Sequence, residues 1–404
     1  RIRCHTTAEV KLGDLQMNEL PLHIGGSGTV PLAIYEHILG CACGLSLVIG
    51  KKSGRTVHEL GINSLHSKGF EGAEALLNYR SRSFDGYRLL REYFAFPERF
   101  RFVEFSNLAA QFEGVEEQGF DLVIHLSTRN NELENAIDAK NFLPFCTPVI
   151  NLFPKRADRV RLNDREHEFH VVPDRARPMD FEIHQVLEVT GFGTDSSQKT
   201  RFLPFYALQD QHRARDDAAF YTLQRRPRLI SSRQKQKGAR SRYLGQEIYL
   251  SLVDAQQAPY ASDLDQLGVK TMCTNRDLPL LIPLAQKGGD FFLDHTAPVT
   301  AINVVAGPTR PSSLGLVGET SNKSSAATSG DLAWRLINHL SLNYLSLIEN
   351  DKQEGASALR EMLELYTDGH ALMERQINGI LSVETRAVTR RLEIAGPISF
   401  GRGL

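Results

Sequence analysis

DGYRLLREYFAFPERFRFVEF, residues 85–105, changes from a helical to a strand-like repeat within one short stretch. Asp85 can cap a helix because its carboxylate accepts hydrogen bonds from first-turn amides. Apolar and aromatic side chains then share one helical face: Leu89, Leu90, Tyr93 and Phe94. Pro97 ends the helix because proline cannot continue the hydrogen-bond ladder. Residues 100–105 follow in a strand-like run, so the stretch predicts an aromatic-rich helix-to-strand unit inside a core.

Strand patterns recur on both sides of this unit. Residues 1–12 begin with alternation, and predicted strands lie at residues 9–12, 20–24, 45–49, 100–105, 120–126, 181–189, 247–253 and 299–305. Predicted helices at residues 30–39 and 131–139 separate some of them. This mixture predicts a multi-domain α+β protein, strand-rich with interspersed helices and a helical segment near the C-terminus.

The chain of 404 residues is longer than one compact core usually accommodates. Residues 225–242 hold eight basic side chains and no acidic one, and residues 306–330 are rich in Gly, Pro, Ser and Thr. We therefore predict an α+β domain at residues 1–140 and a β-rich domain at 141–305 with a basic loop at 225–242. A linker follows at 306–330, and residues 331–404 form a helical segment followed by a strand.

DLAWRLINHLSLNYLSLIEN, residues 331–350, predicts a long helix with an unusually wide apolar face. Inside the helix only Arg335 and Glu349 are charged. Such a helix is either a central core helix or one shared between a core and a partner subunit. Because Trp and Arg are favoured interface anchors, we select five candidate partner contacts: Trp334, Arg335, Asn338, His339 and Asn343.

Composition excludes several classes of protein. A net charge of −1 and a pI near 7.0 give no global attraction for nucleic acid or anionic membranes. No apolar run reaches the roughly 18 residues of a membrane span, so no membrane insertion is expected. The cysteines are sparse and mostly lie among apolar neighbours: Cys4, Cys41, Cys43, Cys146 and Cys273. This usage suits small buried residues in a reducing compartment, and the cytoplasm is the expected location.

The candidate motifs for catalysis or cofactor binding do not have the residue spacing that these sites require. The glycine-rich turn at residues 25–29 lacks the lysine of a phosphate-binding loop. Gly191-Phe192-Gly193 lacks the third glycine of a dinucleotide site and predicts a hairpin or loop turn. His167 and His170 are three residues apart instead of four, and a strand would turn them to opposite sides. We predict no catalytic, cofactor or metal residues; a metallohydrolase around these histidines is the hypothesis that metal analysis would test.

Two charged blocks have alternative interpretations. Residues 154–178, dense in Arg and Asp, form either a docking surface whose arginines bind a partner's carboxylates or a loop with internal Arg–Asp pairs. Lys155 and Arg156 are the candidate contacts there. Residues 225–242 form either a solvated loop or, in the alternative function, a nucleic-acid-binding segment whose affinity falls with salt.

Six phrases, in order along nearly the whole chain, resemble one family. They are YRLLREYFAFPERF (87–100), CTPVINLFPKRAD (146–158), VVPDRARP (171–178), CTNRDLP (273–279), WRLINHLSLNYLSL (334–347) and FGRG (400–403). The family is TssF, also called VasA or ImpG, a baseplate subunit of the bacterial type VI secretion system.

The resemblance implies a structural role without catalytic residues. TssF-like proteins join TssG, two copies to one, in a wedge that also engages TssK and TssE. Six wedges surround the VgrG spike as the platform for the contractile tail. The implied location is cytoplasmic, at the baseplate docked on the inner-membrane complex. Family members extend beyond both ends of this chain, so we expect a trimmed sequence.

Overall fold

The computed structural model describes residues 1–7, 10–50, 54–77, 85–163, 165–193, 199–205, 219–229, 243–254, 264–311, 352–364, 371–383, 388–392 and 399–403. The chain divides into two units, one of residues 1–151 and 278–310, the other of 152–277 and 311–404. Several sheets with interspersed helices confirm the predicted α+β class. The four predicted domain ranges stay predictions.

The first unit contains two four-stranded antiparallel sheets. Its strands are β1 (Ile2–His5), β2 (Leu20–Ile24), β3 (Ala42–Ile49), β4 (Thr56–Glu59), β5 (Leu65–Lys68), β6 (Phe102–Phe105), β7 (Gly119–Leu126) and β8 (Phe142–Pro144). One sheet has the order β1-β7-β3-β4 and the other β5-β6-β2-β8. Apolar side chains from both sheets form one core, in which Leu22, Leu47 and Phe105 are buried.

The described part of the first unit contains four helices, of which three begin where the sequence predicts, and the helix at residues 109–112 was not predicted. They are α1 (Val30–Cys41), α2 (Asp85–Ala95), α3 (Ala109–Phe112) and α4 (Asn131–Ala136). Asn130 caps α4 by accepting hydrogen bonds from the amides of Glu132 and Leu133 at 3.1 and 3.2 Å. A 3-10 turn at Pro97–Phe100 follows α2 and leads into β6. The predicted helix-to-strand unit at residues 85–105 is therefore confirmed.

Two predicted strands are wrong. Residues 12–14 form a 3-10 turn, which is docked by hydrogen bonds from the Leu12 amide to Glu117 and from the Gly13 amide to Val115. Residues 299–305 contribute only an isolated bridge between Ile302 and Phe291. Alternation alone did not make these segments strands, because a strand also needs a neighbour along its length.

The second unit is built on one eight-stranded sheet. Its strands are β9 (Phe153–Arg156), β10 (Val160–Arg161), β11 (Phe169–Val171), β12 (Glu182–Gly193), β13 (Lys199–Pro204), β14 (Ala219–Pro227), β15 (Gln246–Asp254) and β16 (Leu264–Thr274). The order is β10-β16-β12-β13-β14-β15-β11, with β9 also on β16. Only the β13–β14 pair is parallel among these strands.

The sheet of the second unit curls around a single core. The edge strands β10 and β11 both contribute to this core through Val160 and Phe169. A backbone hydrogen bond from Asp158 to Val172, 3.0 Å long, joins the segments beside these two edges. Gly191 and Gly193 lie at the end of β12, which pairs antiparallel with β13 up to Phe192 and Lys199. A hairpin therefore forms as predicted, with these glycines in its strand. A Cβ atom on Gly191 would collide with Leu264 of β16, and the glycine therefore permits the close strand packing.

The C-terminal part contains α5 (Lys352–Glu364), α6 (Ala371–Asn378) and a hairpin of β17 (Val388–Leu392) with β18 (Ser399–Gly403). These elements confirm a helical segment near the C-terminus. The predicted helix at residues 331–350, with Trp334, Arg335, Asn338, His339 and Asn343, lies outside the described residues. Within the described ranges, no helix combines the length and apolarity needed to cross a membrane.

Candidate protein interface

A buried ion cluster joins α2 to the loop that precedes it. One oxygen of Glu92 accepts hydrogen bonds from the amides of Leu76 and Leu77 at 3.0 and 2.9 Å. Its other oxygen lies 3.2 Å from Arg88 and also pairs with Arg99. Burial, followed by the nearby charge of Arg88, lowers the pKa of Arg99. Each charge has a structural partner, so this cluster stabilises the fold.

A second buried polar cluster lies around Glu182 at the start of β12. Tyr243 donates its hydroxyl hydrogen to Glu182 over 2.5 Å, and the Gln246 amide donates to the same carboxylate over 2.8 Å. Arg276, buried in the CTNRDLP phrase, donates to the Leu244 carbonyl over 3.0 Å. Burial and then the Glu182 hydrogen bond raise the pKa of Tyr243, which keeps the phenol protonated. These hydrogen bonds hold the residues before β15 against the sheet.

The histidines considered as metal ligands are engaged separately. His167 lies in a bend before β11, and the His170 ring stacks on Tyr249 with centroids 4.9 Å apart. Glu168, between the histidines, pairs with Arg226 at 2.6 Å. Across the residues that the structure describes, no three metal-ligating side chains come together. Among those residues, His167 and His170 are not part of one three-ligand group.

Lys155 and Arg156 have different surroundings on β9. The Lys155 ammonium lies 3.3 Å from an Asp174 oxygen and 4.3 Å from the centre of the Phe181 ring. Arg156 is exposed and stands opposite Lys270 of β16. Asp174 and the turn that follows it therefore hold Lys155 in place, whereas Arg156 extends from the surface.

The carboxylates of the 154–178 block organise its backbone. Asp158 accepts a hydrogen bond from the Arg175 amide at 2.7 Å, and Asp174 accepts from the Ala176 and Arg177 amides at 3.0 Å each. In the described part of this block no guanidinium pairs with an aspartate of the block. The Arg–Asp contacts among these residues run through backbone amides, and the Arg175 guanidinium donates to the Arg159 carbonyl over 3.2 Å. Both interpretations of the block stay predictions.

Only residues 225–229 of the predicted basic loop are described, and their arginines serve the fold. Residues 225–227 belong to β14. Arg225 donates to the His184 carbonyl over 2.5 Å, and Arg228 donates to the Pro178 carbonyl over 2.8 Å. Arg226 pairs with Glu168, as described above. These three arginines therefore contact groups of the protein itself. In the nucleic-acid hypothesis they would contact phosphates.

Residues 278–305, here called the apolar loop, expose a concentration of large apolar side chains: Leu280, Leu281, Leu284, Phe291, Phe292, Leu293, Val299 and Val305. Phe292 is 85% exposed and Leu281 63%. Sequence reasoning missed this surface because it assigned the final part of the segment to a strand. The sequence signal that could have indicated this surface is the apolar run at residues 278–285, which prolines interrupt.

Asp290 fixes the shape of the apolar loop. Its carboxylate accepts hydrogen bonds from the amides of Val304 at 2.8 Å and Gln286 at 3.2 Å. The Asp290 amide donates to the Ile302 carbonyl over 2.7 Å. These backbone hydrogen bonds, that from Val304 foremost, lower the pKa of Asp290. Polar contacts thus order the loop while its apolar side chains face outward.

The fold and surface define a strand-rich α+β protein with an exposed apolar loop. The chain belongs to the TssF family: the family model described as "Type VI secretion system, TssF" matches residues 1–404. The type VI secretion system component TssF1 of Pseudomonas aeruginosa is 44% identical over 405 residues, covering 100% of this chain and 62% of TssF1. The resemblance stated from the six phrases is confirmed.

A solved structure has the same fold. A chain of the TssK-TssF-TssG baseplate subcomplex, determined by cryo-electron microscopy, aligns with a TM-score of 0.61 and 23% identity. The alignment covers 96% of this chain and 65% of that one. The chain therefore spans less than two thirds of the length of either relative.

Proposed function

We propose that this protein is a structural subunit of the type VI secretion baseplate wedge. In this role it assembles with TssG, TssK and TssE around the VgrG spike and supports the contractile tail. Family membership and the solved TssK-TssF-TssG subcomplex support the proposal. Two copies per wedge act without enzymatic activity, cofactor, nucleic acid or membrane insertion. Their place is cytoplasmic, at the baseplate docked on the inner-membrane complex.

The observation that carries this proposal is the apolar loop. Contiguous exposed apolar side chains are uncommon on monomers and mark surfaces that a partner covers. Because Asp290 already orders the loop, binding there has a small additional conformational entropy cost. A preorganised loop that exposes Phe292 and Leu281 is suited to a stable subunit contact.

Co-purification with TssG and TssK tests this function. The full chain is co-expressed with both subunits and captured through a tag on TssG. We expect capture of the unaltered chain and at least about tenfold weaker association when Phe292 and Leu281 are both replaced by Ser, because buried aromatic anchors contribute most at interfaces. Val57→Ser with Leu381→Ser, at exposed positions outside the loop, is the matched control.

Two outcomes contradict the proposal. A folded chain that stays monomeric beside TssG excludes the assembly role. Equal capture of the Phe292 and Leu281 variant excludes the apolar loop as the contact.

The same capture assay applies to the helix predicted at residues 331–350. We propose Trp334, Arg335, Asn338, His339 and Asn343 as further partner contacts, with Trp334 as the anchor. Trp334→Ala is then expected to weaken capture more than it lowers the free energy of unfolding. If Trp334→Ala instead lowers the free energy of unfolding by several kcal/mol, which is about the cost of truncating a core aromatic residue, Trp334 belongs to the core.

A further inference from the structure

The outer face of the sheet in the second unit carries a group of basic side chains. Alternate residues of β16 point inward, where Leu267, Val269 and Thr271 are buried, so Gln266, Gly268 and Lys270 face outward. The cross-strand partners of these three residues face outward with them.

Strand register gathers the basic side chains from distant parts of the sequence. Arg156 of β9 and Glu188 of β12 flank Lys270, and Arg161 of β10 lies opposite Gln266. Thr190 of β12 stands between Gly268 and Arg201 of β13, and Phe192 pairs with Lys199. With Arg159, this surface, here called the basic sheet face, contains Arg156, Arg159, Arg161, Lys199, Arg201 and Lys270.

Most of these cations lack a carboxylate partner. Glu188 pairs with Lys270 at 2.6 Å, and Asp265 lies at the end of the face near the start of β16. Among the described residues, no ion pair involves Arg156, Arg159, Arg161, Lys199 or Arg201. The face therefore has a large excess of positive charge, although the whole chain has a net charge of −1.

The guanidinium of Arg159 lies over an aromatic ring. The guanidinium carbon lies 3.8 Å from the centre of the Phe192 ring. Gly268 provides the necessary space, because a Cβ atom there would lie 2.9 Å from Phe192 and 3.0 Å from an Arg159 nitrogen. This contact holds the guanidinium against the ring, and a guanidinium offers further N–H groups with which it can bind a planar acceptor.

We propose that the basic sheet face binds an acidic segment of a partner protein, whose Asp and Glu carboxylates pair with its guanidinium groups. This proposal rests on the proposed function and specifies the chemistry of one partner segment. Arg156 and Lys270 stand directly opposite each other on neighbouring strands, at the strand spacing of about 4.8 Å. This is close to the spacing of about 5–6 Å between acidic side chains on one helical face. Carboxylates are planar acceptors that guanidinium groups bind through two parallel hydrogen bonds.

Single-stranded nucleic acid fits this face less well. Its binding usually combines basic side chains with aromatic faces on which bases stack. On the basic sheet face Phe192 is already covered by Arg159. An acidic protein segment needs no free aromatic ring.

Fluorescence anisotropy with a short labelled oligoglutamate peptide tests the basic sheet face in the full chain. We expect binding that weakens with salt and falls at least about tenfold when Arg156, Arg159 and Arg201 are all replaced by Glu. Reversal of Arg55, Arg91 and Lys140, which are exposed in the first unit, controls for net charge. Unchanged circular dichroism and Tm establish that each variant folds, and Gln substitutions at the same three positions provide a second test.

The outcomes separate the alternatives. Equal loss in the control variant, or binding of an oligoglutamine peptide with the same affinity, overturns the proposal. Tighter binding of an oligothymidylate of equal length assigns the face to nucleic acid instead. No binding of the peptide, together with normal capture by tagged TssG, rejects this inference while leaving the proposed function intact.

Discussion

At the residue scale, Glu92 shows how charged side chains can form part of a core. Its two carboxylate oxygens accept two backbone hydrogen bonds and contact two arginines, all with little exposure to solvent. Replacing one member of such a cluster leaves the other charges buried without compensation. Glu92 therefore ties the loop at Leu76 and Leu77 to α2.

We expect Glu92→Gln to lower the free energy of unfolding by about 3–5 kcal/mol, because Arg88 and Arg99 would retain buried charges without their carboxylate. Urea unfolding followed by circular dichroism measures the change. Glu113→Gln, at an exposed position of the same unit, is expected to change stability by less than about 0.5 kcal/mol. A similar small effect at Glu92 would show that the ion cluster contributes nothing to folding.

At the element scale, the apolar loop is ordered by backbone hydrogen bonds to one carboxylate. Its large apolar side chains contribute little to its own stability because most of them remain in solvent. The loop can therefore be altered separately through Asp290, which controls its shape, and through Phe292, which forms its surface. A substitution at Asp290 tests the order of the loop, whereas a substitution at Phe292 tests its contact with a partner.

Asp290→Ala is expected to increase hydrogen exchange at Gln286 and Val304, whose amides donate to the carboxylate. Asp294→Ala, at an exposed position in the same loop, serves as the control. Because the pKa of Asp290 is lowered in the folded chain, its stabilising contribution is complete above the ordinary Asp value of about 3.9 and is lost as pH falls through the lower folded pKa. The exchange rates are corrected for intrinsic exchange. If the amide protection at neutral pH is the same in the Asp290→Ala variant, Asp290 does not have this role.

At the scale of the whole molecule, the second unit has a core of its own. Every buried residue of that core lies between Ala157 and Cys273. The apolar loop and the exposed Phe145 and Val149 belong to the first unit. Residues 152–277 are the part of the second unit that contains this whole core, which makes them a candidate for an independently folding fragment.

A fragment of residues 152–277 is expected to unfold cooperatively and to stay monomeric, because it retains its core and excludes the apolar loop. The longer fragment 141–305, whose limits follow the domain predicted from the sequence, carries Phe145 and Phe292 in addition and is expected to aggregate more readily. Thermal unfolding and size-exclusion chromatography compare the two. Cooperative folding of the longer fragment alone would favour the sequence-based boundaries.

The sequence by itself determined the local elements and the family. The change of period at residues 85–105 predicted α2 and β6, and the six ordered phrases led to TssF. Such signals are readable because helix and strand periodicity depends on backbone geometry over a few residues. The same reasoning assigned residues 299–305 to a strand, since a local pattern does not show whether a neighbouring strand exists.

Only the tertiary structure decided which distant residues become neighbours. Arg156, Lys270 and Arg201 lie on one face because β9, β16, β12 and β13 are adjacent in the sheet. Glu92 is buried because Arg88, Arg99 and two backbone amides surround it, although a charged helical residue is ordinarily expected in solvent. Sheet register and charge burial depend on contacts between segments far apart in the chain, and these contacts form only when the whole core packs.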